Sequence, residues 1–132
     1  MEIKIKDIKK KVRKTVPPVK KQLITFNYYL FALLDALTDT DGDNYNELFF
    51  PTFVAAYELI KAKKDADPVE IFNKCYLAAY DLYLGGADTE EDLINACFGL
   101  GACTEPNLKD SFGSRLTLLF FIAVHLGIKF VF

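Results

Sequence analysis

The sequence predicts a mainly α-helical protein, a single compact domain of five or six helices with a short β-strand near each end of the chain. Three observations support this fold class. Apolar residues recur at helical spacing in most segments. Capping residues, prolines and glycines separate those segments, and both chain ends show strand-like patterns instead. With 132 residues, of which 52% are apolar, the chain can fold around one core.

Strand-like patterns occupy both ends of the chain. Residues 1–6 alternate apolar and polar side chains, and residues 128–132 are rich in β-forming side chains. A two-stranded ribbon alone is marginal in water. We therefore expect the two strands to pair with each other on the helices, or to join the sheet of a neighbouring subunit.

Residues 1–18 predict a basic N-terminal arm that consists of the first strand and a short helix. The helix covers residues 7–15 and ends at Pro17 and Pro18, because proline disfavours helical backbone in the residue before it. The remaining residues, 19–132, predict a helical domain that ends in the second strand.

Two helices are predicted in the first half of the helical domain. The first covers residues 19–37, where apolar side chains form a stripe so wide that little polar surface remains. Such a helix is typical of the centre of a core or of a subunit interface. The second covers about 51–64, with Pro51 in its first turn and Glu58 facing outward.

Three further helices follow. Asp67 as the cap and Pro68 at the first position mark the start of the third helix, which ends before Gly85. The fourth covers 89–98, begins at an aspartate cap and ends before two glycines. The last helix covers 108–126.

Charge is unevenly distributed, although the net charge is only −2. Residues 1–21 carry a charge of +7, and residues 22–132 carry −9. The basic part, residues 4–21, could bind phosphates of nucleic acid, dock on an acidic protein surface, or form a solvated helix face. It has no aromatic side chain for base stacking. The candidate residues for contact with a partner or a nucleic acid are Lys9, Lys10, Lys11, Arg13, Lys14, Lys20 and Lys21.

An acidic loop between the first two long helices contains the candidate metal ligands Asp39, Asp41 and Asp43. They stand at positions 1, 3 and 5 of a calcium-binding loop, and over about twelve residues this segment resembles the EF-hand family. The resemblance implies a cation site. Asn44 stands where the family has glycine, and Phe50 where it has the closing glutamate. The other interpretation is a solvated turn whose acidic residues cap the next helix.

The inventory of reactive residues argues against an enzyme. His125 is the sole histidine, and the sequence has no nucleophile elbow and no phosphate-binding loop. Cys75, Cys97 and Cys103 are odd in number and are not spaced like zinc ligands. We expect these thiols to be buried, and we predict no cofactor and no small-molecule substrate.

The cysteine content also favours a reducing compartment, so we expect a cytoplasmic protein or one built into a virion that assembles in the cytoplasm. Residues 1–21 lack the apolar core of a signal peptide. The apolar run near the C-terminus, Leu118 to Val124, is short compared with the roughly 20 residues of a spanning helix, so membrane insertion is not expected.

By elimination, the sequence favours a non-enzymatic protein that acts through protein–protein contacts or self-association. It would be a subunit or adaptor of a larger assembly, such as a virion or phage, or an acidic inhibitor or immunity protein. Two alternatives stay open. One is a nucleic-acid-associated protein that uses the basic arm, and the other is a degenerate EF-hand-like protein that binds a cation.

Overall fold

A computed structural model of the protein describes residues 1–38, 45–64, 66–87, 89–103 and 112–132. It confirms the predicted fold class, with six helices and two short terminal strands in the described residues. In chain order, the elements are β1 Glu2–Lys4, α1 Ile5–Lys11, α2 Val19–Thr38, α3 Tyr45–Lys63, α4 Pro68–Leu84, α5 Glu90–Cys103, α6 Phe112–His125 and β2 Lys129–Val131.

The two strands pair with each other in a small parallel sheet. The backbone N–H of Lys129 donates to the carbonyl oxygen of Met1 at 3.1 Å. Ile3 and Phe130 are the buried residues of this sheet. The first strand is shorter than predicted, because helical backbone already begins at Ile5.

Contacts within the chain define two compact units. The first unit comprises Ile3–Phe72 and Phe130–Phe132, and the second comprises Met1–Glu2 and Asn73–Lys129. From Ile3 onward, the predicted basic arm belongs to the first unit. There, α1 packs on α3, and the Ile8 side chain is completely buried.

The core of the first unit is built around Phe53 on α3. Its ring lies 4.7 Å from the ring of Phe130, 6.0 Å from that of Phe72 and 6.4 Å from that of Phe49, as centroid distances. All four rings are buried. The α2 helix packs along α3 and contributes Phe26, Leu30 and Leu33, which have no exposed surface.

The second unit is organised by α6, which packs against α5. Its residues from Leu119 to Val124 are all buried. A Cβ atom added to Gly99 of α5 would lie 3.1 Å from Cδ1 of Leu118, so glycine suits this close approach. The α5 helix therefore continues through Gly99 to Cys103, whereas the sequence predicted an end at residue 98.

Helix starts follow the predicted capping chemistry with one change of register. The backbone N–H of Val69 donates to Oδ1 of Asp67 at 3.1 Å, which confirms that cap. At α5, Thr89 and Asp92 form a reciprocal capping box, in which the N–H of Asp92 donates to Oγ1 of Thr89 and the N–H of Thr89 donates to Oδ2 of Asp92. The aspartate predicted as this cap, Asp88, lies outside the described residues.

Two helix ends depend on glycine in a left-handed conformation, with φ of 104° at Gly86 and 79° at Gly127. Beyond Gly127, the N–H of Ile128 donates to the carbonyl oxygen of Ala123 at 2.9 Å. This bond closes α6 and directs the chain into β2.

The α3 helix differs most from the sequence prediction. It begins at Tyr45, so that Pro51 lies inside the helix and not in its first turn. Proline removes one backbone hydrogen bond, and burial of Phe49 and Phe53 on either side of it offsets that loss. Glu58, predicted to face outward, is only 5% exposed.

The central position of Phe53 generates a stability prediction. We expect Phe53→Ala to lower the free energy of unfolding by about 3–5 kcal/mol, because it leaves a cavity among three other rings. Phe130→Ala should cost a comparable amount. Phe98 is 72% exposed, and Phe98→Ala is the matched control, with an expected change within about 0.5 kcal/mol. Urea denaturation measures all three, and equal losses at Phe53 and Phe98 would contradict this account of the core.

Candidate functional site

The structure places the predicted basic contact residues in three groups, all of them exposed. The first group lies in the last turn of α1, where the helix dipole stabilises positive charge. The second lies in the connection to α2, and the third lies in the first turn of α2. The groups are Lys9, Lys10 and Lys11, then Arg13 and Lys14, then Lys20 and Lys21.

Arg13 forms an ion pair with Glu58 of α3. Its Nε donates to Oε2 of Glu58 at 2.8 Å, and its backbone N–H donates to the same oxygen at 3.3 Å. The hydrogen bond to Glu58 raises the pKa of the Arg13 guanidinium above its ordinary value, although burial opposes this shift. The pair supplies a positive partner to a buried carboxylate, which would otherwise be costly to bury.

Gln22 extends this ion pair into a network. Its side chain has no exposed surface, and its Oε1 accepts a hydrogen bond from Nη2 of Arg13 at 3.2 Å. Its Nε2 donates to the carbonyl oxygen of Ala55 at 3.1 Å. The network therefore joins the segment after α1 to both α2 and α3, and it commits Arg13 to contacts inside the chain.

Sequence reasoning missed Gln22 and Glu58 as members of this network. The signal for Glu58 was its position within the run from Ala55 to Ile60, where the remaining five residues are all apolar and buried. A single carboxylate in such a run requires a cation or hydrogen-bond donors from elsewhere in the chain.

Three of the predicted lysines line a cavity of about 480 Å³ in the first unit. We name it the lysine cavity. Within the described residues, all charged side chains that line it are lysines. Burial, with the nearby charge of Asp67, raises the pKa of the Tyr57 phenol above its ordinary value. The lining residues are Lys9, Lys10, Val12, Lys14, Tyr57, Lys61 and Pro68.

A second cavity of similar volume, about 480 Å³, lies along α2 and α3 in the first unit. Tyr29 of α2 and Phe50, Pro51 and Val54 of α3 form its apolar part. The ion pair described above also lines it. It is therefore an apolar groove with one charged side, where Lys11 lies beside the Arg13–Glu58 pair.

One side of α2 is an exposed, mostly apolar face that does not contribute to the core. We name it the α2 face, and its five residues recur at helical spacing. The side chains of Ile24, Tyr28 and Phe31 are 65%, 70% and 45% exposed. Lys20 and Asp35 lie at its two ends and are also exposed. Large apolar side chains in such an arrangement are typical of a contact surface.

A comparable face occurs in the second unit. Leu77, Tyr80 and Leu84 recur at helical spacing on α4 and are all exposed. We name them the α4 face. On α5, Ile94 and Phe98 are likewise one turn apart and exposed. Each unit therefore presents its own set of large, exposed apolar side chains.

His125, Cys75 and Cys97 take part in packing and hydrogen bonding inside the second unit. The Nε2–H of His125 donates to the carbonyl oxygen of Thr89 at 2.9 Å, and its ring packs against those of Tyr83 and Phe121. Cys97 is buried as predicted, whereas Cys75 is only half-buried, and both thiols are free. Burial raises the pKa of each thiol. A raised pKa disfavours the reactive thiolate. In the part of the chain that the structure describes, no group of three or more histidine, cysteine or acidic residues could hold a metal ion.

The candidate cation ligands Asp39, Asp41 and Asp43 lie outside the described residues. The rest of the EF-hand-like segment is described from residue 45 onward, where it forms the first turns of α3. Phe50, at the position of the closing glutamate, lines the groove between α2 and α3. The cation site stays a prediction from the sequence.

Comparison with known proteins gives no assignment: the chain matches no protein-family model, no curated protein and no solved structure. No helix among residues 1–38, 45–64, 66–87, 89–103 and 112–132 is both long and apolar enough to cross a membrane.

The Arg13–Glu58 pair generates a second stability prediction. We expect Arg13→Ala to lower the free energy of unfolding by about 1–2 kcal/mol, because the buried carboxylate of Glu58 loses its cation, although solvent reaches the Arg13 side of the pair. Lys14→Ala, at the next position, is the control and should change it by less than about 0.5 kcal/mol. Urea denaturation measures both variants. In addition, Glu58→Gln should cost less in the Arg13→Ala background than alone, and additive effects would show that the two side chains do not interact.

Proposed function

We propose that this chain is a non-enzymatic protein that acts through protein–protein contacts, as a self-associating subunit of a larger assembly. The observation that carries the proposal is the exposure of large apolar side chains at helical spacing. Tyr28 of the α2 face and Leu84 of the α4 face are 70% and 68% exposed. Isolated exposed apolar residues are ordinary, but rows of them on one helix side favour an interface.

Self-association is favoured over a single binary complex because the chain carries two such faces. The α2 face belongs to the first unit and the α4 face belongs to the second. A subunit with one contact surface stops at a dimer, whereas a subunit with two can extend to a ring, a higher oligomer or a filament. An inhibitor or immunity protein, the other protein-binding class predicted from the sequence, needs only one surface.

The proposal predicts a mass above that of the 15.0 kDa monomer. At about 50 µM, which exceeds the micromolar Kd expected for a modest interface, sedimentation equilibrium should show dimers or larger species. The double variant Tyr28→Glu with Leu84→Glu should be a monomer of unchanged stability, because both positions are exposed and the new charges resist burial.

The control is Lys6→Gln with Lys129→Gln, which makes the same change in net charge at exposed positions outside both faces. It should associate like the unaltered chain. A chain that stays strictly monomeric at about 500 µM, far above a micromolar Kd, would contradict self-assembly.

The lysine cavity supports a second candidate function, binding of nucleic acid through its phosphates. Lys9, Lys10 and Lys14 of the predicted basic segment converge there with Lys61 of α3, and the cavity has room for phosphate groups. Ammonium groups bind phosphate as point charges. The aromatic ring of Tyr57 lines the cavity but is buried, so it is not free to stack on a base. The lysines would therefore contact the sugar–phosphate backbone of the nucleic acid, independently of its base sequence.

This candidate predicts steep salt dependence in a mobility-shift or filter assay with a DNA duplex. If all four lysines contact phosphates, the slope of log K against log salt should be about −3.6, and Lys61→Gln should reduce its magnitude by about 0.9. Lys129→Gln, at an exposed position on β2, is the control and should leave the slope unchanged. Absence of any retained duplex at low salt would reject nucleic-acid binding without affecting the assembly proposal.

A further inference from the structure

The α2 face has a symmetry that a single chain does not use. Its apolar residues Ile24 and Phe31 lie at equal distances along the helix from the midpoint between Asn27 and Tyr28. Lys20 and Asp35 also lie at equal distances from that midpoint. From either end, the face therefore has a charged residue, then a large apolar residue, then the midpoint, and the charges at its two ends are opposite.

We propose that two copies of this chain pair through their α2 faces, antiparallel, around a two-fold axis beside Tyr28. This inference rests on the proposed function and names the partner as a second copy. In this arrangement, Ile24 of each copy meets Phe31 of the other, and Lys20 of each copy meets Asp35 of the other. A two-fold axis makes every contact occur twice, so one apolar pair and one ion pair become two of each.

The placement of charge on α2 supports this pairing. Lysines occupy its first turn and an aspartate occupies its last turn, with no acidic residue in the first turn and no basic residue in the last. This order opposes the helix dipole, which favours acidic residues at the start of a helix and basic residues at its end. The charges are therefore unfavourable for α2 alone, and they become favourable when a second α2 runs in the opposite direction.

Helix geometry agrees with the same arrangement. At a rise of 1.5 Å per residue, Ile24 and Phe31 are about 10 Å apart along the axis, and Lys20 and Asp35 are about 22 Å apart. The ion pairs thus lie outside the apolar contacts, as polar rims lie around the cores of interfaces. One helix pair buries less than the roughly 1,600 Å² of a standard interface, so we expect a dimer with a Kd in the micromolar range.

A charge exchange tests the pairing, because it changes the partner contact without harming the helix. Lys20→Asp or Asp35→Lys alone places like charges opposite each other twice and should raise the dimer Kd about five- to tenfold at low salt. The double variant Lys20→Asp with Asp35→Lys again places opposite charges across the interface, with the acidic residue now at the start of α2 and the basic residue at its end. It should return the Kd to that of the unaltered chain. Both substitutions suit the dipole of α2, so the variants are expected to fold.

The measurements use the full chain with Leu84→Glu, which removes the α4 face from association, and sedimentation equilibrium gives the Kd. Leu77→Glu is the control for an exposed apolar position and should leave the dimer intact. Recovery of the Kd in the charge-exchanged double variant supports the antiparallel pairing. Oligomers that do not respond to any α2 variant would overturn this inference and leave the proposed function standing, whereas absence of self-association in the unaltered chain would overturn both.

A cross-link supplies an independent measurement. The Tyr28→Cys variant places a thiol beside the two-fold axis, and it should form a disulfide with the same position of the second copy under mild oxidation. Leu77→Cys is the matched control and should not form a covalent dimer. The unaltered chain gives the background from its own cysteines. A covalent dimer from position 77 and none from position 28 would place the contact on α4 and overturn the inference.

Discussion

The ion pair between Arg13 and Glu58 is the constraint that organises the first unit. A carboxylate in the buried run of α3 requires a cation, and Arg13 supplies it from the segment between α1 and α2. Gln22 joins the start of α2 to the same network. Because Arg13 is held at α3, the basic residues before and after it are also fixed near α3, where three of them meet Lys61. The lysine cavity is thus a consequence of a buried charge in the core.

The α2 helix shows how one element can serve both stability and assembly. Its inner side contributes Phe26, Leu30 and Leu33 to the core, and its outer side presents Ile24, Tyr28 and Phe31 to solvent. A helix that is apolar on all sides is normally enclosed on all sides. In a single chain, α2 is enclosed on one side, and the proposed second copy would enclose the other.

The sequence was sufficient to predict the fold class, the two terminal strands and most of the helices, because periodicity and capping residues are local signals. The sequence prediction was wrong about the start of α3, which it set at Pro51. The helix begins six residues earlier, because burial of Phe49 and Phe53 stabilises helical backbone on both sides of the proline. The prediction was also wrong about the end of α5, which it set before Gly99. Glycine has a low helix propensity, but at this position it permits close packing of α5 against Leu118 of α6. Glu58 was misplaced because its partner lies 45 residues away in the sequence. These errors share one cause, which is that tertiary contacts override local preference.

The place of Phe130 in the core of the first unit affects the order in which the protein can form. Its ring packs against Phe53, although most of the second unit separates the two residues in the sequence. During synthesis, α1, α2 and α3 emerge from the ribosome long before Phe130 does. The aromatic core of the first unit is therefore incomplete until the second unit has been translated. Until that contact forms, part of the apolar core of the first unit stays exposed in the nascent chain.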